Sequence, residues 1–428
     1  MSDDFHVTSE HGTGSGRRRD FRLFWAAHAA SVTGDQICEF LVPLLAISLL
    51  HVSSTELGIL GGAQWLPFLL LALPFGVVID RHPTRRLLLA SELGRGLLTL
   101  GLLAAVLAHA LSFPALVGLA LALGACAVVY EVGYQSAIPS LVPRARLGGA
   151  NARVQATTAA AEIAGPGLGG AMLQLIGASG SLAVNGAMHL ASACALARVR
   201  SRAGTPHAAT RHFLTELREG AGRVLHDPLL RANVGFSALY NPFAQWVTLL
   251  LTLYAVRSLG LEPVHLGLVF SAGAAGAVVG AAAASRVSRG ARVGTALLAC
   301  AAVECGALLS LAIVDEAWDR DLAVAALALL MAVNGTGTAL SSVLLITIRQ
   351  LRTPEQLLGR VNATMRTVTY GTIPLGALAG GLAGDWLGPR LGLLVGAVLG
   401  SATIAWVAAS PLARIRRLSD LETVPDGG

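Results

Sequence analysis

The sequence has no lysine, few aromatic residues and little charge of either sign. All 31 basic side chains are arginine, aromatic residues make up 5% of the chain and charged residues 13%. A soluble domain carries roughly a quarter of its residues as charged groups. The low charge of these 428 residues, together with a mean hydropathy of +0.65, therefore argues against a soluble protein.

Cysteines and catalytic motifs are also scarce. The sequence contains no Walker A motif, no His/Cys cluster with metal-site spacing and no G-x-S-x-G sequence. These absences disfavour an enzyme and predict neither a cofactor nor a metal. The five cysteines all lie in apolar segments, where we expect them to be small packing residues: Cys38, Cys126, Cys194, Cys300 and Cys305.

Long apolar runs dominate what is present, and many reach the ~20 residues that a helix needs to cross a bilayer. The chain is therefore predicted to be an all-α integral membrane protein. Breaks rich in charge, Gly or Pro divide it into twelve spans: 21–50, 55–79, 86–108, 113–141, 149–176, 180–198, 229–256, 263–285, 292–313, 321–348, 360–386 and 390–411.

The spans group into two halves on either side of one long polar connection. The predicted organisation is a disordered tail over 1–20, an N-terminal six-helix bundle over 21–198, a linker over 199–228, a C-terminal bundle over 229–411 and a tail over 412–428. The linker is expected to contain a short surface helix.

The arginines are distributed unequally between the loops. Loops on one side of the twelve-span arrangement hold most of them, whereas the opposite loops hold only Arg257, Arg320 and Arg390. By the positive-inside rule both termini are predicted to be cytoplasmic. The net charge of +6 is scattered rather than gathered on one face, which argues against nucleic-acid binding.

An internal repeat relates the two halves. Residues 143–170 and 354–381 match at an offset of 211. Pro143 and Asn151 of the first segment correspond to Pro354 and Asn362 of the second, and three glycines follow in register. Two parallel repeats with a cavity between them are the plan of an alternating-access transporter.

Two motifs resemble those of the major facilitator superfamily. Gly76, Asp80, Arg81 and Arg85 match the family's loop signature between spans 2 and 3, although Pro83 and Thr84 depart from it. The sequence GPGLGG, residues 165–170, is similar to the core of the drug/proton antiporter motif. Segments 128–142 and 359–378 resemble the branch that contains enterobactin-type and macrolide exporters.

The resemblance implies two pseudo-symmetric six-helix bundles in the plasma membrane and export of an amphipathic small molecule by proton antiport. A monomer is expected to suffice, with protons, lipid and the small molecule as its partners. Two alternatives stay open: an importer of a nutrient or siderophore with the same fold, and a membrane sensor or scaffold that transports nothing.

Acidic residues inside spans are the first candidate site residues, because charge at membrane depth is costly and usually faces a wet cavity. Asp35 and Glu39 lie one helical turn apart, as do Glu131 and Gln135 with Tyr134 between them. We predict that one of the three acids exchanges protons. A structural acid bonded to a neighbouring helix is the alternative for each.

Polar residues of later spans extend the candidate cavity. Asn362, Arg366 and Tyr370 share one face of span 11, and they can contact substrate or join helices. The same choice applies to Asn334, Thr338 and Ser341 in span 10. Glu304 is expected to be an interhelical hydrogen-bonding group, and Arg95 to pair with an acid or to extend to the membrane surface.

The resemblance implies roles for the two motifs. Asp80 is expected to close the cytoplasmic side in the outward-facing state by contacting the N-terminus of span 11 and Arg360. In the antiporter motif, Gly165, Gly169 and Gly170 permit close helix approach, and Pro166 bends the helix. This bend is predicted to form a seal against leak, with ordinary small-residue packing as the alternative.

Overall fold

The computed structural model describes residues 14–81, 83–143, 146–199, 213–290, 292–354 and 357–421, without the side chains of 14–17, 72–81, 140, 213–217 and 289–290. The regular structure of these residues is helical. The helices are α1 Gly14–Leu49, α2 Ser54–Arg81, α3 Thr84–Leu107, α4 Phe113–Leu141, α5 Leu147–Ala197, α6 Phe213–His226, α7 Pro228–Arg257, α8 Pro263–Gly290, α9 Val293–Ser310, α10 Arg320–Arg352, α11 Leu358–Leu387, α12 Pro389–Gly400 and α13 Ala402–Ala409.

These helices form the twelve predicted spans. Eight of them, as far as the described residues reach, are long and apolar enough to cross a bilayer. The 51-residue α5 supplies two spans, because Gly177 has a φ of 68° that interrupts the helix. Besides the eight, α2, α7 and α11 supply three spans, and the last span, already among the eight, consists of α12 and α13.

The two ends of the chain depart from the predicted tails. α1 already begins at Gly14, because its first turns continue into a packed segment in which Phe21 and Phe24 are buried. At the other end, Leu412 and Ile415 are buried, and the Gly294 amide of α9 donates to the Ile415 carbonyl at 2.9 Å. Apolar side chains at both termini thus find partners in the helix bundle.

The helices divide into two bundles joined by α6. In the first, α1 and α3 pack on α5, and α2 packs on α4; in the second, α8 packs on α10, and α7 on α11 and α12. The surface helix expected in the linker is α6, which packs along α11. Asp227 follows α6 and caps α7 by accepting from the Leu229 amide at 2.9 Å.

The internal repeat is visible as the same local structure at the start of α5 and α11. In each copy a proline carbonyl accepts a hydrogen bond from the backbone three residues later: Arg146 to Pro143 at 2.8 Å, and Leu357 to Pro354 at 2.9 Å. A helix begins at the next residue in both cases. The sequence match therefore reflects equivalent turns in the two bundles.

The bundles contact each other chiefly through α2 with α11 and α5 with α8. We call the membrane side where α1 begins the arginine-rich side, and the other the far side. On the far side, Asp385 at the end of α11 accepts from the Ser54 and Thr55 amides at 2.8 and 3.0 Å. A side chain of one bundle thus caps the first turn of a helix in the other.

Removing this cap is expected to loosen the far side. We expect Asp385→Ala to remove about 1 kcal/mol of contact free energy, because the bond exists only while the bundles touch. A cysteine introduced at Thr248, beneath the contact, should then react about fivefold faster with a membrane-impermeant thiol reagent from the far side.

Glu56→Ala is the matched control. Glu56 accepts from the Ser53 amide at 2.7 Å in the same turn of α2, but this bond lies within one bundle. The loss of either cap weakens α2, yet only the Asp385 variant should expose position 248. Equal reactivity of the two variants would mean that Asp385 stabilises α2 alone.

Candidate functional site

A cavity of about 530 Å³ lies between the bundles. Toward the arginine-rich side, its lining includes Gln155 of α5 and Gln135 of α4. On the far side, the cavity ends where α2 contacts α11 and α5 contacts α8. A second space of about 220 Å³ adjoins it and shares Gln36, Glu39, Gln64 and Trp65. The volume of the larger cavity, about 530 Å³, is that of a small-molecule site.

A buried group of charges lies in one wall of the cavity. Arg95 Nη1 on α3 donates to both oxygens of Asp35 on α1, at 2.9 and 2.7 Å, and lies 3.3 Å from Glu92 Oε1. His189 Nδ1 is 3.2 Å from Glu92 Oε2, and its Nε2 is 3.9 Å from Asp35 Oδ1. We call Asp35, Glu92, Arg95 and His189 the charge cluster. The expectation that Arg95 pairs with an acid is confirmed.

Neighbouring helices hold the charge cluster in place. Ser31 donates to Glu92 at 2.8 Å, and the Arg95 guanidinium lies 4.9 Å from the Tyr130 ring centroid on α4. Asn185 donates to the Gly34 carbonyl at 2.6 Å and so ties α5 to α1. Because Gly34 has no Cβ, His189 can lie next to it; an added Cβ would be 3.1 Å from Nε2.

A second ion pair crosses between the bundles. Arg366 of α11 donates to Glu131 of α4 at 3.1 Å, and Gln135 donates to the same oxygen at 3.2 Å. Tyr370 stacks on Trp65 with ring centroids 5.7 Å apart. Tyr134, Gln135, Arg366 and Tyr370 all line the cavity. Asn362 is not among the lining residues, so its contact with substrate stays a prediction.

Two further carboxylates face the cavity without a partner. Glu39 and Glu162 are exposed to it, and neither forms an ion pair or hydrogen bond with a residue that the structure describes. The cavity wall therefore carries more acidic than basic groups, a field that attracts cations and protons.

The loop signature is described only in part. Gly76, Asp80 and Arg81 lie outside the described side chains, so the predicted contact of Asp80 stays a prediction. Arg85 donates from Nε to the Leu196 carbonyl at 3.0 Å and from Nη2 to the Ala197 carbonyl, at the end of α5. Arg360 pairs with Glu219 of α6.

The GPGLGG segment lies where three helices meet. A Cβ at Gly165 or Gly169 would meet Gln36 or Phe40 of α1, and one at Gly170 would meet the Pro263 carbonyl of α8. The Gly167 amide also donates to Ser271 of α8 at 3.0 Å. The segment thus joins α5 to its own bundle and to the other one, on the far side of the cavity.

Polar residues of the second bundle bond to one another. Glu304 is fully buried and accepts from Ser341 at 2.7 Å, which confirms its expected role as an interhelical hydrogen-bonding group. Asn334 donates to the Tyr240 hydroxyl at 2.9 Å, and Thr338 lies 3.1 Å from it. These hydrogen bonds indicate that the polar face of span 10 joins helices and does not serve mainly to contact substrate.

Sequence reasoning missed Glu92 and His189. Glu92 lies three residues before Arg95, close enough to share a helix face, and that spacing could have been used to find it. His189 is a lone histidine in an apolar segment, and only the fold brings it to α3.

These features define a class of protein: a polytopic membrane transporter with a ligand cavity between two six-helix bundles. The family model of the Major Facilitator Superfamily matches residues 24–377. The chain belongs to this superfamily, which places it among transporters rather than enzymes.

The comparisons with individual proteins agree with this family. The enterobactin exporter EntS of Citrobacter koseri is 26% identical over 82% of both chains, and that of Shigella boydii is 26% identical over 84% of both. A bacterial homologue of the human lysosomal transporter Spinster, in an inward-facing and occupied conformation, has a TM-score of 0.73 at 12% identity, covering 97% of this chain and all of the other. The nucleoside transporter NupG (D323A mutant) has a TM-score of 0.75 at 11% identity, covering 91% and 99%.

Proposed function

We propose that this protein exports an amphipathic small molecule across the plasma membrane by proton antiport. The observation that carries the proposal is the acidic cavity, which lies between the bundles beneath a packed far side. Similarity to proteins named enterobactin exporters supports export. With the arginine-rich side in the cytoplasm, the conformation is inward-facing, ready to take up cargo from the cell.

The cavity also suggests how cargo would be held. Trp65, Phe68 and Tyr370 provide clustered aromatic surface, and Glu39 and Glu162 provide carboxylates in the same cavity that have no described partner. Apolar surface with a few polar groups is the usual composition of a ligand site. An amphipathic molecule would place its apolar part on the rings and its polar part toward the acids.

Proton coupling is proposed to act through Asp35 and Glu131, with Glu39 as the third acid. Asp35 binds Arg95 within one bundle, whereas Glu131 binds Arg366 across the two. Protonation of Glu131 would weaken the pair between the bundles, and protonation of Asp35 would release Arg95. Either event changes the relative free energies of the inward- and outward-facing states.

Asp35→Asn and Glu131→Gln are expected to lower proton-driven export at least about fivefold, the lower end of measured coupling effects. The measurement is efflux of ethidium and of enterobactin from reconstituted vesicles of known orientation under an imposed pH gradient. Glu304→Gln, which alters a buried acid outside the cavity, is the control. Unchanged export and pH dependence in both acid variants would refute this mechanism.

The same vesicles separate the alternatives. An importer would move the probes in the opposite direction under the same gradient. A sensor or scaffold would move neither probe, whichever gradient is applied.

A further inference from the structure

The charge cluster has one more acid than permanent base. Asp35 and Glu92 carry two negative charges and Arg95 one positive charge, so a neutral His189 leaves a net charge of −1. Glu92, Arg95 and His189 are each at most 2% exposed. An uncompensated charge at this depth is costly. One additional proton makes the cluster neutral.

The geometry around His189 identifies where this proton lies. Both ring nitrogens face carboxylate oxygens, Nδ1 toward Glu92 at 3.2 Å and Nε2 toward Asp35 at 3.9 Å. A neutral imidazole donates from one nitrogen only, so its other lone pair would face a carboxylate. An imidazolium donates from Nδ1 to Glu92 and also directs its Nε2–H and its positive charge toward Asp35, so that it is attracted to both acids.

We propose that His189 holds the exchanged proton between Asp35 and Glu92, and that Asp35 transfers this proton to and from the cavity. This assignment depends on the proposed antiport for its role in transport, but the binding of the proton does not. The proposed proton site depends on the positions of Glu92 and His189. Both are positioned by Ser31, Arg95 and Gly34, as described above.

A path connects His189 with the cavity. Asp35 has a side-chain exposure of 37%, and it lines the cavity together with Arg95 and His189, whereas Glu92 is fully buried behind them. The proton leaves Nε2 through the Asp35 carboxylate to cavity water. A cationic group that pairs with Asp35 removes one of the two acids that stabilise the imidazolium. Cargo and proton therefore compete, as antiport requires.

The surroundings contain few other groups that could hold this proton. On α1 they are Ser31 and Asp35, on α3 Glu92 and Arg95, and on α4 Cys126 and Tyr130. His28 lies further away, against Tyr130 and Thr158. Glu39 and Glu131 lie along the cavity beyond Asp35.

The test is potentiometric titration of the purified full chain in detergent, from about pH 5 to about pH 9, the range that brackets an ordinary histidine. His189→Asn is expected to release one proton fewer than the wild type. Glu92→Gln should also release one fewer, because its neutral cluster no longer needs the proton. The double variant should lack the same single proton, not two.

His28→Asn is the matched control, since it removes a buried histidine of the same bundle that faces no carboxylate pair. It should leave the shared proton in place. A His189→Asn titration identical to that of the wild type, or a double variant that lacks two protons, would overturn the assignment. Gly34→Ala keeps every titratable group and places a methyl group against the His189 imidazole. If the other variants do not fold, a midpoint shift of about half a pH unit in Gly34→Ala supports the proposal, and an unchanged midpoint refutes it.

The outcomes also separate this inference from the proposed function. If the purified protein binds the shared proton but a pH gradient drives no efflux of ethidium or enterobactin, the proposed antiport is refuted and the assignment of His189 is supported. If the gradient drives efflux and no shared proton exists, only the assignment falls.

Discussion

Arg95→Met is expected to reduce the yield of folded protein at least about tenfold, because removing one partner of a buried ion pair costs about 3–5 kcal/mol. Arg95 is 2% exposed and bonds to both Asp35 and Glu92. Methionine fills similar space but removes the guanidinium that pairs with the two carboxylates. The measurement is the monodisperse peak in size-exclusion chromatography of the solubilised protein, together with its melting midpoint.

Neutral replacement of the two acids should restore the yield of folded protein that Arg95→Met loses. The triple variant with Asp35→Asn and Glu92→Gln leaves the charge cluster without an ionised carboxylate or guanidinium, and neutral replacements of buried ion groups are often tolerated. Its yield is expected to approach that of the wild type while proton-driven transport stays lost. A single Arg95→Met variant with wild-type yield and melting midpoint would show that the charge cluster contributes little to the fold.

Gly170→Leu is expected to hold the bundles apart on the far side and to lower transport at least about tenfold. Even a Cβ at this position would meet the Pro263 carbonyl of α8, so a leucine side chain cannot be accommodated while the helices touch. The closed far side would then be disfavoured, and both probes and protons would leak. A cysteine at Thr248 should become reactive from the far side.

Gly101→Leu is the control for added bulk, because a Cβ at Gly101 has no described atom within 4 Å. It should insert, transport and protect position 248 like the wild type. A Gly170→Leu protein that still protects position 248 would mean that GPGLGG serves only to pack α5 within its own bundle.

Much of the fold was predictable because it depends on local signals. Apolar run length predicts spans, and Gly177 falls in the break predicted between spans 5 and 6. The proline–asparagine repeat predicts equivalent turns, which recur before α5 and α11. Helical spacing likewise placed Glu131 and Gln135 on one cavity face.

Pairing between distant helices was not predictable in the same way. Asp35, Glu92 and His189 lie on three helices, and no spacing along the chain connects His189 to the other two. The sequence marked Asp35 as one of three similar acids. The fold distinguishes it, because Asp35 has Arg95 and His189 beside it and Glu39 has no described partner.

The sequence by itself determined the membrane location, the twelve spans, the two-fold repeat and the family, since these follow from hydropathy and from motifs that are contiguous in the chain. Only the tertiary structure decided which charges share a buried site, that Asp385 caps α2 across the bundles, and that the far side is the closed one. These properties depend on distances between helices that are far apart in sequence. Such distances are set by side-chain packing between helices, and no short stretch of the sequence determines this packing.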